Sequence, residues 1–75
     1  MDPTELLRLL RARPFEPFSM RLLDGRVFEV RHPDVMVVGK RVVFLGIYHS
    51  QDGGPVDDWV LISPVAIASV DPLAA

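Results

Sequence analysis

The side chains of metal-ligand type in this 75-residue chain include His32, Asp34, His49, Asp52, Asp57 and Asp58. A metal centre needs three or four such groups at spacings that aim their donor atoms at one point. His32-x-Asp34 only flanks a proline, and Asp52, Asp57 and Asp58 lack the ordered spacing of a calcium loop. No metal is expected from them. Ser50 and Ser63 are the hydroxyls that a histidine and an aspartate would have to activate, and no motif gathers such a triad around a pocket. The chain has no cysteine, which excludes disulfides and thiolate zinc sites. No catalytic residue and no cofactor is expected, and the chain reads as a non-enzymatic protein.

The remaining chemistry is charge and apolar surface. The net charge is −2, but all eight lysines and arginines fall in residues 1–41, among six acids. Residues 42–75 carry four aspartates and no base. Such a chain is no general polyanion binder, yet a basic face built from its first half is open to it. Arg8, Arg11, Arg13, Arg21 and Arg31 are the candidates for a phosphate-contacting strip, with Arg8, Arg11, Arg13 and Arg31 the RNA-binding set. The plainer reading is a solvated set of charges, with Arg21 near Glu29 or Ser19. Tyr48 and Trp59 are the large amphipathic rings, and both suit a core or an interface as well as base stacking.

The elements that position these residues follow from pattern. Asp2 suits an N-cap, Pro3 the first helical position, and Glu5 the return arm of a capping box. Leu6, Leu9 and Leu10 then lie on one side of a helix of nine to eleven residues, with Arg8, Arg11 and Arg13 toward its C-terminal end and Pro14 stopping it. So short a helix must dock its leucines to persist. The rings of Phe15 and Phe18 can pack beneath it. Asp24-Gly25 between alternating segments announces a hairpin. A two-residue loop would set Met20 against Glu29. A three-residue loop, Leu23-Asp24-Gly25, pairs Met20 with Phe28 and Phe18 with Val30 and keeps one face apolar. Gly25 should then have positive φ.

The second strand is expected to bend at His32-Pro33-Asp34, with the histidine ring over the barrel end, and to continue through Val35–Val38. Gly39-Lys40-Arg41 reads as a polar turn and Val42–Tyr48 as a strand buried on both faces or partly at an interface. His49–Asp58 is the longest loop. Trp59–Ile62 is the fourth strand, Ser63-Pro64-Val65-Ala66 a tight turn, and Ile67–Val70 the last strand, stopped by Pro72. The fold class is mainly β: one N-terminal α-helix followed by a small, strongly bent, five-stranded antiparallel barrel of the SH3-like or Sm-like kind, as a single domain over 1–75.

With that order of elements the chain resembles the bacterial Hfq branch of the Sm-like family. Asp2-Pro3 and Leu10-Arg11-Ala12-Arg13-Pro14 look like its opening helix and exit, Leu22-Leu23-Asp24-Gly25 like its first hairpin, and Ala66-Ile67-Ala68-Ser69-Val70-Asp71-Pro72 like its final strand. The resemblance implies a barrel that joins copies into a ring through its edge strands and binds single-stranded RNA near a central pore. The family's Lys-His pair before the last strand is replaced here by Pro64-Val65, Phe28-Glu29 stands where the family often carries a glycine, and the connection before Trp59 is long.

Size supplies a second expectation. A domain this short buries only about 60–65% of its unfolded surface, while 49% of the residues are apolar. A homo-oligomer is therefore expected, with Val42, Phe44, Tyr48 and Trp59 the candidates for self-association or for docking another protein. No apolar run reaches the ~20 residues of a membrane helix. The acidic Asp2-Pro3-Thr4-Glu5 does not read as a signal peptide, so a cytoplasmic location and no membrane partner are expected.

Overall fold

The computed structural model describes residues 1–48 and 56–73, and within them the chain is mainly β with one helix at its start. Helix α1 spans Pro3–Arg11. Its cap is the expected one: the Asp2 carboxylate accepts from the Thr4 N–H at 2.9 Å. The return arm of the box is not made, because Glu5 pairs with Arg8 on the exposed side of the helix. Arg13 closes the other end, donating to the carbonyls of Leu10 at 3.1 Å and Ala12 at 2.9 Å. Leu6 and Leu10 are buried, and Phe15 packs on the buried Phe18 with ring centroids 6.1 Å apart.

Strands β1 (Phe18–Leu22) and β2 (Val27–Val30) form the first hairpin. Its register pairs Phe18 with Val30 and Met20 with Phe28, as the three-residue loop requires. The Gly25 N–H bonds the Leu22 carbonyl at 3.0 Å, the Leu22 N–H bonds the Arg26 carbonyl at 2.8 Å, and Gly25 has φ 93°. The pairing left Glu29 beside Arg31 rather than Arg21, at 2.5 Å.

After β2 the chain turns through one 3₁₀ turn, Pro33–Val35, into β3 (Met36–Val38). Here two strands stand in place of the one bent second strand expected from sequence, giving six strands in all among the described residues. Pro33 has no N–H to give a ladder and the turn swings the chain aside, so β2 and β3 are separate strands in different sheets. β4 (Val43–Ile47) and β5 (Asp58–Ile62) follow. A second 3₁₀ turn, Pro64–Ala66, then carries the chain back to β6 (Ile67–Pro72). The result is two three-stranded antiparallel sheets, β2-β1-β6 and β3-β4-β5, and among the described residues no backbone ladder joins them. Both corners are alike: a short 3₁₀ turn with proline at its first position.

The inner faces of the sheets share one core. Phe18, Met20, Leu22, Val30 and Ile67 come from the first sheet, Met36, Val43, Leu45 and Ile62 from the second, Val35 from the first corner, and Leu6 and Leu10 from the helix. β6 is longer than its sequence suggests. It runs past Val70 so that Asp71 and Pro72 pair with Ser19 and Phe18. A bulge shifts its register between Arg21 and Leu22. Met20 therefore opposes Val70 and Leu22 opposes Ile67, and two residues three apart in sequence face the same core.

Candidate interaction surface

Strict alternation along β3, β4 and β5 divides their apolar residues between two faces. Met36, Val38, Val43, Leu45, Val60 and Ile62 face the core. The cross-strand register then aligns Val37, Phe44 and Leu61 in one row on the opposite face, with Gly46 and Trp59 as the next row. The described chain covers the first row only in part: Val37 is 57% exposed, Phe44 38%, Leu61 62%, and Trp59 beside them 48%. Over Gly46 lie the methyls of Val56, 3.1 and 3.2 Å from where a Cβ would stand. Four large apolar side chains on one sheet face form the kind of patch that marks an interaction site.

The ends of this sheet carry opposite charge, with Asp58 in step with Val60 and Ile62 and so on the core-facing side of β5. β3 ends and β4 begins at the turn holding Lys40 and Arg41, both exposed. β5 begins at the other end of the sheet, where Asp57 and Asp58 are exposed. The Asp57 N–H ties that end to the Ile47 carbonyl at 2.9 Å, and Asp58 accepts from the Trp59 N–H at 2.8 Å.

Of the expected self-association residues, the structure brings Phe44 and Trp59 together on this face. Val42 lies in the turn, half-buried, its carbonyl accepting from the Gly39 N–H at 2.8 Å. Tyr48 lies beyond the end of β4, exposed, on a different feature described below. Val37 and Leu61 were not singled out from sequence. The signal for them was present: Met36-Val37-Val38 and Trp59-Val60-Leu61-Ile62 are unbroken apolar runs, and in a strand such a run puts apolar side chains on both faces whatever the register.

The expected arginine strip is largely committed elsewhere. Arg8 pairs with Glu5, Arg31 with Glu29, and Arg13 caps its helix, all on the surface. Arg26 pairs with Asp24 at 2.8 Å and lies 5.7 Å from the centroid of Phe28. Arg11 is exposed and makes no ion pair with another described residue. The pairing of Arg26 holds the Asp24 carboxyl below its ordinary range, chiefly through the hydrogen bond from the Arg26 backbone N–H and then through the guanidinium.

An open groove of about 600 Å³ runs beside β2, lined among others by Phe28, Arg31, His32, Asp34, Gly46 and Tyr48. His32 thus stands exposed on its wall instead of covering the core. The groove offers no convergent donor set, since its charged side chains are solvated and Arg31 is already paired. Among the described residues no three histidine or carboxylate side chains cluster in a way that could hold a metal ion. His49, Ser50 and Asp52, and the Gln51–Pro55 part of the long loop, lie outside the described residues. None of the described helices is long and apolar enough to cross a membrane. No family model matches the chain, and no curated protein or solved structure matches it.

Proposed function

We propose that this chain is a non-enzymatic interaction and assembly module: a small barrel of the Sm-like kind whose two sheets are its halves, joined at two proline corners, and whose working surface is the outer face of β3-β4-β5. The observation that carries the reading is the exposed row Val37–Phe44–Leu61 with Trp59 beside it. Covering these four side chains carries no structural penalty, and since each is already partly buried it would contribute a fraction of the ~1.5–3 kcal/mol of a side chain buried from full exposure. The test is solution mass by light scattering over a range of concentrations. The wild type should exceed monomer mass, and Phe44→Asp should return it to monomer with its circular dichroism unchanged. A wild type that stays monomeric at high concentration would remove the support for this reading.

A second reading, a ring that binds single-stranded RNA, is favoured by one feature: an opening helix, a first hairpin and a final strand follow one another, the order that the resemblance implies. It stands second because three of its four arginines are already paired or capping. Filter binding of U-rich and A-rich oligonucleotides at low salt should show Arg11→Glu weakening retention if the reading holds. No retention above a neutral control would end it.

A further inference from the structure

We infer that the occupant of the exposed sheet face is a second copy of the same chain, packed face to face with its strands antiparallel to the first. The inference rests on the proposed role of that face and adds the identity and orientation of the partner.

The ground for it is the polarity of the sheet. Lys40 and Arg41 stand at one end, Asp57 and Asp58 at the other, and the apolar row lies between them. A two-fold interface is isologous, so whatever patch A meets on patch B, B must meet on A. Consider a two-fold axis lying between the two faces and running across the strands. It reverses strand direction and turns one face onto the other, so the basic end of each copy lies over the acidic end of its mate. Each contact occurs twice. An axis parallel to the strands would instead set base on base and acid on acid, costing energy at both ends. The face is therefore self-complementary in one orientation and self-repelling in the other.

The distances suit the charges. Packed sheets lie about 10 Å apart and neighbouring strands about 4.8 Å apart, spans that a lysine or arginine side chain meeting an aspartate can bridge. Along the face, the same operation sets Phe44 of one copy against the Gly46–Val56 strip of the other, where no side chain projects from Gly46, and sets Trp59 against Leu61. Each aromatic ring thus meets a branched aliphatic side chain, Val56 over Gly46 in one case and Leu61 in the other.

The experiment is a charge-reversal series read by sedimentation equilibrium at low and high salt. Lys40→Glu with Arg41→Glu should raise the dimer dissociation constant by about tenfold or more at low salt, as should Asp57→Lys with Asp58→Lys, since each turns two attractions into repulsions. The protein carrying all four changes should recover wild-type association to within about threefold, and raising salt should weaken the wild-type dimer. If the two reversals leave the dissociation constant unchanged while Phe44→Asp abolishes the dimer, the face is right and this orientation is overturned. A wild type monomeric at about 1 mM overturns both the orientation and the role of the face. If the fourfold variant stays as weak as either pair alone, the antiparallel pairing is overturned too.

Discussion

Phe44 stands directly opposite Leu61 across β4 and β5, and both side chains project away from the core. Cross-strand neighbours of this kind stabilise a sheet by about 0.2–1 kcal/mol, much less than the same side chains would contribute if buried. Stability and association should therefore separate at Leu61. Leu61→Ser is expected to lower the melting temperature by at most a few degrees and to weaken self-association by about tenfold or more. Thermal unfolding at a concentration where the protein is monomeric, beside sedimentation of the same variant, measures the two effects independently. A collapse of folding in Leu61→Ser would show that the residue belongs to the core.

Gly25 closes the first hairpin with φ 93°, and no atom lies within 4 Å of where its Cβ would be. Space is thus no obstacle to a side chain; backbone conformation is. A β-carbon in this region costs about 1–2 kcal/mol. Gly25→Ala should lower the melting temperature by roughly 4–8 °C for each kcal/mol lost, with circular dichroism keeping its native form. Gly25→Asn, which tolerates the left-handed region better, should recover part of the loss. Equal melting temperatures for Gly25→Ala and wild type would show that the loop relaxes without strain.

This hairpin also shows what the residues alone could say about the fold. Its register was legible because Glu29 made one pairing costly and because only glycine enters the required loop position freely. The helix was legible through its cap and its leucine spacing. The bulge in β6 was not foreseen, although Ile67 and Val70 carried a hint: apolar residues three apart cannot share a face of a regular strand. The division into two sheets was harder still. Pro33 signals a break but does not say whether the strand beyond it rejoins the same ladder, and that depends on where β4 lies. The interaction face was half legible. Phe44 and Trp59 are aromatic and attract notice, whereas Val37 and Leu61 are hidden in apolar runs with no polar residue to reveal which side is wet.

Asp24 ties the same hairpin to charge. Its carboxylate accepts from the Arg26 N–H at 3.0 Å and from the Arg26 Nε at 2.8 Å, which holds its folded pKa below the ordinary carboxylate value of 3.8. A carboxyl depressed on folding contributes stability that is complete above its unfolded pKa and disappears as pH falls through the folded one. Wild type should therefore be more stable than Asp24→Asn at about pH 6, with the two melting curves converging below about pH 4 as the carboxyl takes up its proton. Because the pair lies on the surface, the difference should shrink in high salt. Parallel stability curves from pH 6 downward would mean that the Arg26 contacts persist unfolded or contribute nothing.

Leu6 tests whether the helix is part of the domain or an appendage to it. Its side chain has 0% exposure and belongs to the cluster that joins both sheets, although α1 pairs with neither sheet by backbone bonds. A nine-residue helix held only by its own hydrogen bonds would be unstable in water, so docking must stabilise it. Removing a buried leucine side chain costs about 2–5 kcal/mol, against a total near 4–11 kcal/mol for a chain of this length. Leu6→Ala should therefore lower the melting temperature by more than about 10 °C and loosen the whole core. Arg11→Ala, on the exposed side of the same helix, should shift it by no more than about 2 °C. If Leu6→Ala melted only the helical signal in circular dichroism and left near-ultraviolet tryptophan and tyrosine signals at their original midpoint, the two sheets would be stable without the helix. The shared core is what predicts the opposite: Met20, Val43 and Leu45 belong to the same buried cluster as Leu6, so a cavity there is felt by both sheets at once.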